Sequence, residues 1–115
     1  MENNSPDFYQ IADVAELKKM LEEHTGIILY FYNDDCQPCI SLRPKVETMI
    51  AERYPQMKLI YINSKAHPAI PASFNVFANP TLLIFFAGKE FRRFSKYVGI
   101  PELSDTIDRY YRLAF

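Results

Sequence analysis

The chain has 115 residues and two cysteines, Cys36 and Cys39, three apart in Asp35-Cys36-Gln37-Pro38-Cys39. Thiols at that spacing can close an internal disulfide and open it again: one sulfur attacks a disulfide in another molecule, and the other resolves the mixed intermediate. Position assigns the roles. A thiol at a helix N-terminus faces free N–H groups and the positive end of the helix dipole, and both favour the thiolate. A thiol one turn further in is placed to attack its neighbour. Cys36 is therefore the expected nucleophile and Cys39 the expected resolving thiol. Asp34, Asp35, Gln37 and Pro38 are the neighbours expected to tune the pair. The two carboxylates oppose the helix end, because like charge raises a thiol's pKa. That balance predicts a reductant or weak reductant, not an oxidant of the disulfide-forming type.

Two other uses of the cysteines stay open at this stage. A zinc site needs two further ligands, and His24 and His67 are the only histidines, in no finger-like spacing. Free cysteines are also often inert core residues. Asp34, Asp35 and Gln37 argue against burial of this segment.

The elements that must position the pair are legible around it. Ile27 to Tyr32 is six apolar or aromatic residues without alternation, the pattern of a strand buried on both faces. Asn33-Asp34-Asp35 breaks it. Leu42, Val46, Met49 and Ile50 then mark the inner stripe of a helix of about four turns, with Pro38 in its first turn, where a missing N–H costs nothing. Upstream, Phe8 to Ile11 reads as a short strand and Asp13 as the cap of a helix with Val14, Leu17 and Leu21 inward, stopped by Gly26. Downstream come a strand over Lys58 to Asn63, a loop from Ser64 to Phe77 with one short helix, and a buried strand over Thr81 to Phe86. His67 in that loop reads as a surface residue. Ala87-Gly88-Lys89-Glu90 turns into a polar edge strand, Phe91 to Val98, whose Arg92, Arg93 and Lys96 discourage edge pairing. Pro101 opens a last helix with Leu103, Ile107, Tyr110, Tyr111 and Ala114 inward. This order predicts a three-layer α/β/α domain on a mixed sheet of four to five strands.

At 49% hydrophobic and 23% charged, the chain can bury a core as one domain over residues 1–115. Residues 1–6 are expected to be a flexible tail. A net charge of −1 gives no electrostatic case for nucleic acid or an anionic membrane, and no run approaches the roughly 20 apolar residues of a membrane helix. The polar N-terminus lacks the basic and apolar regions of a leader, which points to the cytoplasm. In a thiol-reducing compartment a paired Cys-x-x-Cys is expected to be catalytic.

Over nearly its whole length the sequence resembles the thioredoxin family. The anchors are Cys36-Gln37-Pro38-Cys39 at a strand-to-helix junction, Pro44 after it, and Asn79-Pro80-Thr81 before an apolar strand; Gly88 and Gly99 fall where the family's hairpin glycines lie. The resemblance implies the thioredoxin fold, with a cis Pro80 facing the disulfide. Because Pro80 lacks an N–H while Ala78 and Asn79 can offer backbone groups to an extended peptide, clients are expected to bind across Ala78, Asn79 and Pro80, with Tyr32, Phe77 and Ile100 as apolar rim. It implies disulfide-containing protein clients and an electron donor of the thioredoxin reductase type, and no cofactor or metal. The departures are specific: Asp35 replaces the family's Trp, Gln37 its Gly, Tyr30 its buried Asp, and Tyr61 the accompanying Lys. The expected function is a thiol-disulfide oxidoreductase that reduces protein clients. The alternatives are a protein-binding module of the same fold with little turnover, and a redox sensor switched by Cys36–Cys39 closure.

Overall fold

A computed structural model describes residues 8–115, with Phe8 through its backbone only; the expected tail over residues 1–6 lies outside the described residues. Nine elements follow one another: β1 (Phe8–Gln10), α1 (Val14–Glu23), β2 (Gly26–Tyr32), α2 (Gln37–Arg53), β3 (Lys58–Asn63), α3 (Ala69–Ser73), β4 (Thr81–Phe86), β5 (Lys89–Ser95) and α4 (Ile100–Ala114). The five strands form one sheet in the order β1-β3-β2-β4-β5. β1, β3 and β2 are parallel; β4 and β5 are antiparallel additions, as a mixed sheet requires.

Side-chain alternation on β2 divides the core into two layers. Ile28, Tyr30 and Tyr32 pack with Leu42, Val46 and Ile50 of α2 and Leu103 and Ile107 of α4. Ile27, Leu29 and Phe31 face the other way, toward Leu17 of α1 and Ile70 of α3. A central strand covered on both faces needs seven consecutive buried residues, and every residue of β2 is buried. Burying each large aliphatic side chain contributes about 1.5–3 kcal/mol, so the sheet centre is the most strongly fixed part of the molecule.

Several local expectations need correction. Gly26 does not cap α1, whose backbone closes with the His24 N–H on the Met20 carbonyl. Gly26 instead begins β2, where a β-carbon would lie 2.5 Å from Met57 Sδ and 3.2 Å from the Phe115 ring. The hairpin turn is tighter than expected: Ala87 (φ 53°) and Gly88 (φ 79°) are both left-handed, as a two-residue turn matching strand twist requires, so β5 starts at Lys89 and ends at Ser95. Arg93 is more than an edge cation, since it pairs with Glu90 and donates to the Phe74 and Asn75 carbonyls at 3.0 and 3.1 Å. On α4, Ala114 is exposed and Ser104 is buried.

Ser104 is buried because Tyr54 requires it. The Tyr54 N–H closes α2 on the Ile50 carbonyl, and the Tyr54 hydroxyl meets the Ser104 carbonyl at 3.1 Å and the Ser104 hydroxyl at 3.0 Å. This contact ties the helix that carries the cysteines to α4. Tyr54→Phe removes both bonds to Ser104 across the two helices, and we expect a loss of about 1 kcal/mol in urea unfolding. An unchanged midpoint and slope would show that the contact does not hold the two helices.

Candidate functional site

Strand β2 ends at Tyr32, and its register with β4 pairs Phe31 with Thr81. That pairing brings Asn79 and Pro80, the residues leading into β4, beside the loop that leaves β2. In the loop, the Asn33 side-chain oxygen accepts the Asp35 N–H at 2.9 Å, and the Cys36 N–H reaches the Asn33 carbonyl at 3.3 Å. This Asx turn reverses the chain and sets Cys36 at the N-cap of α2. Gln37 and Pro38, both exposed, form the first turn with Pro38 near its start. Pro44, inside the helix, has no N–H for the Ile40 carbonyl.

The two sulfurs are bonded, with the Cα atoms 5.2 Å apart. Their surroundings differ. Cys36 is half-buried, whereas Cys39 is 2% exposed. Cys36 Sγ also accepts the Cys39 N–H at 3.1 Å, so an otherwise free amide of the helix start points at it. After reduction the same amide and dipole favour the thiolate at Cys36.

The Asn79–Pro80 bond is cis. Around it, the Thr81 hydroxyl donates to the Ala78 carbonyl at 2.7 Å, the Ser64 hydroxyl to the Asn79 side-chain oxygen at 3.1 Å, and the Lys96 N–H to the Pro80 carbonyl at 2.7 Å. Among the described residues no backbone carbonyl takes up the Asn79 N–H. A groove of about 540 Å³ runs past this point, lined on one side by Pro38, Leu42 and Lys45 and on the other by Pro80, Tyr97 and Gly99. Tyr32 is not on its rim as expected: it is 7% exposed and its hydroxyl accepts from Gln10 Nε2 at 2.8 Å. The two most exposed aromatics are Phe77 at 87% and Tyr97 at 92%, and Tyr97 is one that sequence reasoning missed.

Below the disulfide, the Tyr30 hydroxyl donates to the Cys39 carbonyl at 2.6 Å. Burial pushes the Tyr30 pKa well above the usual phenol range; Arg43 opposes that rise and Glu47 adds to it. Tyr61 is raised further, by burial first and then by its hydrogen bond to Glu47, against a smaller opposing effect of Arg43. The places of the family's buried acid and its lysine are thus held by two phenols that stay neutral. Arg43 and Glu47 themselves escaped the sequence reading. Their signal was present, since they follow Cys39 at four and eight residues, on one face of α2.

The acidic loop is also less uniform than its sequence. Asp35 meets Lys65 Nζ at 3.0 Å, with both side chains about three-quarters exposed, and this bond raises the Lys65 pKa. Asp34 receives only a 3.4 Å contact from Asn63 Nδ2. Among the described residues no three His, Cys, Asp or Glu side chains form a group able to hold a metal, and no helix is long and apolar enough to cross a membrane.

Comparison with known proteins decides the family: the thioredoxin model matches residues 9–109. This chain belongs to the thioredoxin family. It is 31% identical over 101 residues to a thioredoxin of Listeria monocytogenes, covering 87% of this chain and 98% of the relative. It is 27% identical over 100 residues to the thioredoxin-like protein YdfQ of Bacillus subtilis, covering 87% and 88%. A mutant thioredoxin from Halobacterium salinarum superposes with a TM-score of 0.83 at 26% identity, covering 96% of each chain. The expected thioredoxin fold is therefore present, and with its bonded Cys-x-x-Cys pair the chain is a thiol-disulfide oxidoreductase.

The unequal partnering of the two aspartates gives a test. Asp34→Asn should make the reduction potential of the pair less negative, by up to about 30 mV for roughly 1.4 kcal/mol of relieved repulsion. Asp35→Asn should shift it in the same direction, because it removes a like charge and also leaves the Lys65 cation uncompensated. Equilibration of each variant against glutathione measures both, and an unchanged or more negative potential in either would contradict this assignment.

Proposed function

We propose that the chain is a protein disulfide reductant in which Cys36 attacks and Cys39 resolves. One observation carries the reading: the half-exposed sulfur of the pair sits at the start of α2, beside a groove that Pro38 and Pro80 share. In the first step the Cys36 thiolate attacks one sulfur of the client disulfide, and the other leaves as a thiolate that takes a proton. Cys39 then loses its proton and attacks the Cys36 sulfur. The Cys36–Cys39 bond forms and the second client thiol is released, so the client gains two electrons and two protons.

Client recognition falls to Ala78, Asn79 and Pro80. An extended segment laid across them can pair with the untaken Asn79 N–H and add to the structure as a strand would. Phe77, Tyr97 and Ile100 supply the apolar rim in this arrangement. Each cycle leaves the pair oxidised, so the protein needs an electron donor, and a thioredoxin reductase-like enzyme fits the family. We place this cycle in a thiol-reducing compartment, the cytoplasm, where such a donor keeps the pair reduced. The whole chain, residues 1–115, serves as one domain in this scheme.

Insulin reduction with dithiothreitol tests the proposal. The native protein should accelerate precipitation of the insulin chains, and Cys36→Ser should return the rate to that of dithiothreitol alone. Cys39→Ser should trap a mixed disulfide whose client segment lies across residues 78–80. Equal rates for native protein and Cys36→Ser would favour a binding module of this fold, and a client chain seated elsewhere would remove the role given to Pro80.

A further inference from the structure

Cys39 must lose a proton before it can resolve a mixed disulfide, and the residues beneath it offer no base. Tyr30 and Tyr61 are both held protonated by burial. Glu47 is occupied by the Tyr61 hydroxyl and by Arg43 at 3.6 Å. A cavity of about 140 Å³ does open beside Cys39, with Tyr30, Tyr32, Asp34 and Arg43 in its lining. It is an opening for a solvent base beside a residue that is otherwise covered.

Arg43 is the cation of that cavity. It lies four residues after Cys39 on α2, and helical side chains lean toward the N-terminus, so its head group is carried back toward the turn that holds Cys39. Its position is fixed from three sides. The guanidinium carbon stands 3.8 Å from the Tyr61 ring centroid and 5.3 Å from that of Tyr32, while Glu47 anchors it one turn further along. Arg43 lines the cavity with Cys39, and its counter-ion Glu47 is not among the lining residues.

We propose that Arg43 is the positioning residue of the resolving step: its guanidinium, held over the Tyr32 and Tyr61 rings, stabilises the Cys39 thiolate across their shared cavity. A solvent base takes the Cys39 proton, the thiolate attacks Cys36 Sγ, and the client thiolate leaves with the electron pair of the broken bond. A cation that stabilises the product of deprotonation thus does the work that a buried carboxylate would do by accepting the proton. Lining the cavity with Cys39 are Arg43 of α2, Tyr30 and Tyr32 of β2, and Asn33 and Asp34 of the loop. Asp34 acts with the opposite sign, and Glu47 and Tyr61 act through Arg43.

The inference rests on Cys39 as the resolving thiol, and its test needs no client, so it can fail separately from that reading. In a Cys36→Ser background Cys39 is the single thiol, and the ¹³Cβ shift of Cys39 against pH reads its ionisation. Arg43→Gln should lower the thiolate fraction at neutral pH about three- to tenfold, which corresponds to about half a unit to one unit of pKa. Arg43→Lys should retain most of it, and Asp34→Asn, at an exposed position, should raise it. With both cysteines present, Arg43→Gln should prolong the mixed disulfide formed with an aromatic disulfide at neutral pH, and the difference should vanish at alkaline pH. A titration unmoved by Arg43→Gln, one moved equally by Arg43→Lys, or equal slowing at every pH would overturn the proposal.

Discussion

The hydrogen bond from the Cys39 N–H to the Cys36 sulfur depends on more of the structure than any other contact, because it exists only if a helix starts at Cys36. The start is fixed by a strand that ends at Tyr32 and by an Asx turn that reverses the chain within four residues. The strand is fixed in turn by burial on both faces, against α2 and α4 on one side and α1 and α3 on the other. Hydrophobic burial of the sheet thereby becomes placement of one sulfur in the field of a helix terminus. That field is short-ranged, falling off within the first turn, so a small displacement of Cys36 would lose it.

The second feature of the site is what stands under Cys39. Replacing a buried carboxylate by Tyr30 removes a charge that would be expensive to keep in an apolar layer. The phenol instead donates to the Cys39 carbonyl and packs edge-on against Tyr61, with ring centroids 5.2 Å apart. The charge that remains sits at the border of the core, where Arg43 can lie on aromatic faces while keeping contact with solvent and Glu47. The family's acid–base pair and this arrangement are two solutions to one difficulty, that a covered thiol must ionise.

How much of this the sequence could carry follows from the range of each interaction. Ile27 to Tyr32 announced a doubly buried strand, and the stripe through Leu42, Val46 and Ile50 announced α2, because local periodicity encodes burial directly. The Asn79–Pro80 motif was legible only through resemblance, since nothing in its own physics sets its isomer. What escaped was contact across elements. The Asp35–Lys65 pair spans thirty residues, and Tyr32 was expected on the groove rim although its hydroxyl turns under to Gln10. Ser104 could not be seen as buried before Tyr54 was placed above it. Arg43 escaped the sequence reading, because its setting arises from rings on β2 and β3 that fold beneath it.

Cys36 sits at a balance in which the helix start favours the thiolate and Asp34 and Asp35 oppose it, Asp35 while paired with Lys65. A thiolate favoured only moderately leaves the disulfide comparatively stable, and such a protein gives electrons away. The reduction potential of the Cys36–Cys39 pair measures this directly. The expected value lies near that general for thioredoxins, about −270 mV. A value near the about −120 mV of strong periplasmic oxidants would mean that the reduced form is strongly stabilised, and would contradict it.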